Sequence, residues 1–291
     1  MEVKFLRLAN QEVLSDLTGV FVLPSEFRGE VGHCMSREDY CELVSKAVEE
    51  MKNGAFQKVA LSRCITFSDK GISTTKAVWA LNQRFPHLTV FHFADNNGHE
   101  WLGATPELLF QKRENRYSTI SLAGTRLAST EDCNWGKKEI EEQTLVTNYI
   151  QKVIEHLGGY NFQAGEAKTF QSGSIEHLRS EISFSYDGHW KEVMSALHPT
   201  SAVAGMPVAS AFPFIQENEP HDREFYTGLI GIEQEGNVDV YVLLRMAKAI
   251  DGYFVAFVGA GITKDSDPIL EANEIEAKAY SFLTPIFEMP S

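Results

Sequence analysis

Apolar residues recur along this chain with two periods, and the periods locate most of its elements. Between Ser36 and Asn53 they fall at Tyr40, Leu43, Val44, Ala47, Val48 and Met51, the i, i+3, i+4, i+7 stripe of an amphipathic helix. Ser36 stands where an N-cap belongs and Gly54 at the C′ position. Over residues 57–67 the period changes to two. One face then reads Val59, Leu61, Arg63, Ile65 and Phe67, mostly bulky. The other reads Lys58, Ala60, Ser62, Cys64 and Thr66, small and polar. A lysine on a face of small residues leaves room for a ligand beside it, and a solvent-facing side of a sheet accounts for the same pattern. Further strands are expected at 88–94, 108–112, 117–123, 225–233, 238–249 and 252–258. Long helices are expected at about 134–157 and 268–283, and another begins near Pro207. Strands joined by short turns, with long helices between blocks, predict an α+β fold with large antiparallel sheets. No Pro/Ser/Gly-rich linker interrupts the chain, so one continuous fold is expected.

Composition narrows the function. The chain has 291 residues, with 26 Lys+Arg against 40 Asp+Glu, a net charge of −14. Phosphate binding needs clustered Lys and Arg, so nucleic acid is not the expected partner. The longest apolar stretch, 253–262, contains two glycines and reads as a buried strand, far short of a membrane span. No basic region followed by an apolar run opens the chain, so no signal peptide is expected. Cys34, Cys41, Cys64 and Cys133 form no CxxC pair, and four are too few for a disulfide scaffold. A soluble, reduced, cytoplasmic protein is expected.

The two long helices carry the most informative chemistry. In the first, Glu139 and Glu142 continue a stripe that runs on through Val146, Tyr149 and Val153. In the second, Asp267 is a candidate N-cap and Pro268 the first helical residue, and Glu271 and Glu274 share a face with Lys278 and Phe282. Four inward carboxylates repel one another, and a hard cation relieves that repulsion. Oxygen ligands without His or Cys select Mg2+ over zinc. A solvated acidic face at a helix N-terminus is the alternative, since the helix dipole favours Glu there anyway. Gly259-Ala260-Gly261 reads as a tight turn or as a place where backbone N–H groups approach an anion. The small residues of 200–205 offer N–H groups in the same way. Arg245 lies in what reads as an apolar strand, and would pair either with a ligand carboxylate or with a protein glutamate.

Nine segments, in order, resemble the chorismate-utilising enzymes: the isochorismate, salicylate, anthranilate and aminodeoxychorismate synthases. They are Lys58-Val-Ala-Leu-Ser-Arg63, Gly103-Ala-Thr-Pro-Glu-Leu108, Leu122-Ala-Gly-Thr-Arg126, Glu142-Gln-Thr-Leu-Val146 and His177-Leu178. The others are Leu197-His-Pro-Thr-Ser-Ala-Val-Ala-Gly205, Arg223-Glu-Phe-Tyr-Thr-Gly228, Leu243-Leu-Arg245 and the run from Gly259 to Glu274. Together they cover roughly residues 55 to 285. Within the family the chain looks most like an isochorismate synthase. Lys58 stands where the water-using members carry lysine, and His198-Pro-Thr-Ser-Ala-Val resembles the isochorismate-type loop.

The resemblance implies two related subdomains whose antiparallel sheets pack face to face, with helices outside. It implies a short N-terminal segment, 1–54, and a catalytic domain, 55–291. Mg2+ would hold the ring carboxylate of chorismate through Glu142 and Glu274, supported by Glu139 and Glu271. Lys58 would be the general base for water attack at C2, and Glu107 the general acid for the departing C4 hydroxyl. That chemistry requires a neutral amine and a protonated carboxyl, and burial drives both groups in the required direction. Thr125, His198, Tyr226, Arg245 and Gly261 would hold or line the substrate. A monomer without an amidotransferase subunit is implied, its product feeding menaquinone or siderophore synthesis. The alternatives are a salicylate synthase, an anthranilate or aminodeoxychorismate synthase component, and a lapsed chorismate-binding protein. The chain departs from the family pattern at Leu127-Ala-Ser, at Gln143 in place of histidine and at Glu224 in place of glycine.

Overall fold

A computed structural model describes residues 1–127, 134–172 and 175–288. Along the chain come β1 (Glu2–Arg7), β2 (Val20–Leu23), α1 (Arg37–Lys52), β3 (Lys58–Ser68), α2 (Thr74–Arg84), β4 (Thr89–Ala94) and β5 (Glu100–Thr105). There follow β6 (Leu108–Arg113), β7 (Arg116–Leu127), α3 (Lys137–Leu157), β8 (Tyr160–Ala164), β9 (Lys168–Ser172), β10 (Ile175–Ser185) and α4 (Trp190–Leu197). The rest is β11 (Gly205–Met206), α5 (Val208–Asn218), β12 (Leu229–Gln234), β13 (Asn237–Val242), β14 (Met246–Ile250), β15 (Tyr253–Thr263) and α6 (Pro268–Phe287). The described strands belong to two antiparallel sheets, as the α+β expectation required. The chain divides into two compact units: Met1–Glu107 with Pro199–Ile232 and Tyr241–Ser291, and Leu108–His198 with Glu233–Val240.

The first unit holds a seven-stranded sheet in the order β1-β4-β5-β14-β15-β3-β11, and the β2–β12 pair. Helices α1, α2, α5 and α6 bury their stripes against the bulky side of this sheet. Val59 and Leu61 of β3 meet that layer, opposite Ile262 and Ala260 of β15. All six stripe residues of α1 are buried, and Ser36 accepts from Asp39 N at 3.0 Å as its N-cap. Gly54 takes φ +85°, the left-handed conformation that the helix end demands. Helix α6 starts as expected: Asp267 caps Ile269 and Leu270, with Pro268 in the first turn.

The second unit holds β13-β6-β7-β10-β8, with β9 also paired to β10. Helices α3 and α4 belong to it, and Phe110, Tyr117, Ile154, Phe184 and Val193 are buried there. Tyr117 and Phe184, opposite one another on β7 and β10, stack with ring centres 5.2 Å apart.

Two expectations need correction. The strand expected over 238–249 is two strands, β13 and β14, broken at Arg245, which takes φ +46°. A left-handed residue cannot continue a β ladder, so β14 leaves to pair with β5 and β15. The stripe of α3 also differs: Val146, Tyr149 and Val153 are only half-buried, while Gln143 and Ile154 are buried. Gln143 Nε2 donates to Ser121 O, Ser121 Oγ and Ser180 Oγ at 2.9–3.2 Å, so a polar anchor fixes this helix to its sheet.

Candidate active site

The site begins with the pairing of β3 and β15, in register from Lys58↔Thr263 to Ser68↔Tyr253. On the side away from the helices, Lys58, Ala60 and Ser62 face Thr263, Gly261 and Gly259 in turn. Lys58 is half-buried and leans diagonally over Gly261: a Cβ there would stand 2.7 Å from Lys58 Cε and 3.3 Å from Nζ. A Cβ on Gly259 would stand 2.8 Å from Leu61 O and 2.9 Å from Tyr226 Oη. The Gly-Ala-Gly segment is therefore no turn. It is the C-terminal half of a strand, and its glycines make space for a lysine and a tyrosine.

The same pairing sets out the backbone of Gly261. Its partner Ala60 donates its N–H to Ala204 O at 3.0 Å and accepts at its carbonyl from Arg223 Nη2 at 2.8 Å. Both backbone groups of Ala60 thus point away from β15. In an antiparallel ladder, the opposed residue then turns its own groups outward as well. Strand β14 pairs with β15 only as far as Phe257, so it does not cover Gly261. The Gly261 N–H is placed for an acceptor outside the sheet, as the sequence suggested by a different route.

Beside this floor lies a cavity of about 170 Å³, lined among others by Ala60, Ser62, Tyr226, Gly259, Gly261 and Lys278. Arg223 forms part of its wall and is 1% exposed. Its guanidinium is held from four directions: Glu219 Oε2 at 2.6 Å, Glu219 Oε1 at 2.9 Å, Val203 O at 2.9 Å and Ala60 O at 2.8 Å. Glu219 Oε1 also accepts from Ser62 N at 2.5 Å. Burial pushes the Glu219 carboxyl up, but Arg223 and His221 outweigh it and hold the group below its ordinary range. Ser62 Oγ lies 2.9 Å from His221 Nε2. Arg223 opens one of the family-like segments, and the sequence pattern assigns it no role. Its signal, an arginine four residues after a glutamate, is also that of any surface ion pair.

Tyr226 is buried, and burial pushes its phenol well up, so its hydroxyl remains a donor at neutral pH. Glu107 follows β5, where its N–H donates to Thr105 Oγ1 at 3.2 Å and its carbonyl accepts from Val242 N at 2.9 Å. Burial raises the Glu107 carboxyl, and the charge of Lys58 opposes that rise in part. The residue as a whole is half-buried. Lys58 and Glu107, chosen from sequence as base and acid, are thus electrostatic neighbours. Arg245 is half-buried, and burial lowers its guanidinium below the ordinary value. Among the described residues it makes no ion pair, so the glutamate partner allowed by sequence is not found.

The acidic helix faces divide between the units. On α6, burial raises the Glu271 carboxyl, a Ser266 hydrogen bond opposes this, and the charge of Glu274 adds to it. Glu274 is exposed and pairs with Lys278 Nζ at 2.7 Å; the same Nζ donates to Gly259 O at 3.1 Å. On α3, Glu139 and Glu142 are both half-buried. Glu139 packs against Gly124, a bulge residue at φ +64° where the β7–β10 register shifts. Among the described residues no three His, Cys, Asp or Glu form a ready-made cation cluster. The donors fit a hard cation in chemistry: they are carboxylates only, and Glu271 and Glu274 repel each other in the way a cation relieves. His198 is buried at the end of α4. Thr125 of β7 pairs with His177 of β10, and the Thr125 side chain lies outside what is described, as do Ala128, Ser129 and Cys133.

Glu224 explains one departure from the family pattern. Its φ is +50°, a glycine-like conformation, and its carboxylate pairs with Lys248 Nζ at 2.7 Å where both side chains are largely buried. The ion pair offsets the strain that a glycine would avoid.

Residues 24–286 match the profile of the family described as "Chorismate binding enzyme", and the chain belongs to that family. It is 29% identical over 292 residues to isochorismate synthase MenF of Haemophilus influenzae, covering 95% of this chain and 67% of that one. It is 29% identical over 255 residues to isochorismate synthase EntC of Escherichia coli K12, covering 83% and 65%. Among solved structures it is similar to MenF, the menaquinone-specific isochorismate synthase of Escherichia coli, with a TM-score of 0.79 at 25% identity. That likeness covers 95% of this chain and 66% of the other. The chain thus spans about two-thirds of the length of these relatives. No described helix is long and apolar enough to cross a membrane.

Proposed function

We propose that the chain is an isochorismate synthase, converting chorismate to isochorismate by water attack at C2 and loss of the C4 hydroxyl. The observation that carries this is the placing of Lys58 over Gly261 with Glu107 within reach of its charge. Lys58 takes the proton of the attacking water, and Glu107 donates its proton to the departing hydroxyl. Atoms balance, since one water enters and one leaves. The raised Glu107 carboxyl supports the acid role, because burial makes it hold its proton to higher pH than an ordinary glutamate does. A lysine base also favours water over ammonia as nucleophile, so no amidotransferase partner is needed.

Every residue assigned a part falls within 55–291, which we take as the catalytic region. Arg245, the Tyr226 hydroxyl and the Gly261 N–H hold substrate carboxylates, with Thr125 and His198 completing the lining. Glu142 and Glu274 would hold Mg2+, with Glu139 and Glu271 in support. Bound Mg2+ supplies positive charge for the ring carboxylate, which a chain of net charge −14 needs locally. We place the enzyme in the cytoplasm, as a monomer.

The test is to incubate purified protein with chorismate, with Mg2+ and with chelator, and to separate products by mass-detected chromatography. A new peak of unchanged mass, appearing only with metal, supports the proposal. Salicylate with pyruvate would reassign the chain to salicylate synthase. Unchanged chorismate in every sample would overturn the catalytic reading.

A further inference from the structure

Cys34 and Cys64 stand apart from the chemistry proposed above. Cys64 is buried on β3, on the same face as Lys58 and Ser62, and Thr66 follows on that face two residues on. Cys34 is exposed, in the segment that leads into α1. Its Sγ lies 3.8 Å from Thr66 Oγ1, and the Cys64 thiol is the largest influence lowering its ionisation. A sulfur beside Thr66 lies over the face of β3 that also carries Cys64. The backbone holds it there: Arg63 Nε donates to Met35 O at 2.7 Å, tying the neighbour of one cysteine to the neighbour of the other. Arg63 also pairs with Glu276 of α6 at 3.1 Å, so the tether is itself anchored.

We propose that Cys34 and Cys64 form a peroxide-reactive dithiol site that closes to a reversible disulfide. The Cys34 thiolate attacks one oxygen of the peroxide, forming a sulfenic acid and releasing water after protonation. The Cys64 sulfur then displaces hydroxide from that sulfenic acid, and a second water leaves. Two thiols lose two protons and two electrons, and the peroxide is reduced to water. A thiol reductant reverses the step. The surroundings suit these roles. Hydrogen bonds from Cys64 and Thr66, with the charges of His33 and Arg63, bring the Cys34 thiol down to about 6 against burial. Its partner Cys64 is pushed up by the same contact, so it waits as a thiol until the sulfenic acid forms. Cys41 is a built-in control: it is free and half-buried, and its Sγ reaches Pro268 O at 3.5 Å rather than another thiol.

The experiment uses the full chain and hydrogen peroxide, followed by alkylation of the remaining thiols and tryptic mapping. Trypsin releases Cys34 in the peptide from Gly29 to Arg37 and Cys64 in the peptide from Cys64 to Lys70. The expected product is these two peptides joined, and separated again by a thiol reductant. In Cys64→Ser, Cys34 is expected to stop at the sulfenic acid, which dimedone traps. In Cys34→Ser, Cys64 is expected to stay reduced. Alkylation of Cys34 is expected to reach half its maximal rate near pH 6, where an ordinary cysteine needs about 8.5. A wild-type digest without the joined peptide, or Cys34 alkylated no faster than Cys41, overturns the proposal. The outcome is independent of whether the chain turns over chorismate.

Discussion

Lys58 lies across Gly261, its Nζ 3.3 Å from where a Cβ on that residue would stand. The strand that carries the glycine and the strand that carries the lysine are direct neighbours, so the contact is fixed by register rather than by a loop. Gly261→Ala therefore pushes on the mobile end of a side chain and not on backbone. The variant is expected to fold and melt close to the parent. Misplacing the reacting amine by about 1 Å is expected to cost roughly 100-fold in turnover. Gly259→Ala meets Leu61 O at 2.8 Å, and is expected to lose about 1–3 kcal/mol of stability as well. Equal turnover in Gly261→Ala and the parent would show that the Lys58 position is not critical.

Glu107 predicts a pH dependence with a definite sign. Its folded pKa lies above the ordinary 4.5, so the folded chain keeps a proton that the unfolded chain releases. Its contribution to stability is complete below that ordinary value and is lost as pH rises through the folded one. Turnover is expected to fall over the same rise, because the acid loses its proton. Glu107→Gln is expected to remove that stability slope and to lower turnover by about 100- to 10,000-fold. Urea melts and initial rates across a pH series check both.

The Glu219–Arg223 pair predicts the opposite sign. Glu219 is held below its ordinary range, so its contribution is present above pH 4.5 and lost as pH falls through the folded value. Glu219→Gln leaves the Arg223 charge buried without its counter-charge, which is expected to cost about 3–5 kcal/mol in urea unfolding. Replacing both with methionine is expected to cost less than the single change.

Glu224→Gly relieves about 1–2 kcal/mol of backbone strain at φ +50°. It also leaves Lys248, 6% exposed, with its charge unpaired. The second effect is expected to win, for a net loss of about 2 kcal/mol by denaturant melt. Glu224→Gly with Lys248→Met is expected to recover most of that loss.

Much of the fold is legible in the sequence where local rules and burial agree. Helix α1 is written twice, in the Ser36 cap and in a six-residue apolar stripe, and every part of it is realised. The two faces of β3 are equally plain. What escapes notice is set by tertiary contact. Nothing around Arg245 marks a break, because its left-handed conformation arises where the chain leaves one sheet for another and no glycine or proline announces it. Gly259 and Gly261 leave a tight turn open beside the anion-approach reading, because the side chains that require them, arriving from β3 and from Tyr226, are not local. Gln143 and Arg223 are polar residues buried by networks spanning 22 and 163 positions of sequence, which periodicity does not detect. The residues proposed as acid and base were named from the family resemblance, and their electrostatic coupling was not readable from the chain.

The most direct test of the account is to run the chorismate reaction in water enriched in heavy oxygen, with Mg2+ present, and weigh the product at early times. Water attack with Lys58 as base predicts isochorismate heavier by one isotopic oxygen, with the label at the C2 hydroxyl. Isochorismate of unshifted mass would show that the hydroxyl moved without water. That result would contradict the role given to Lys58.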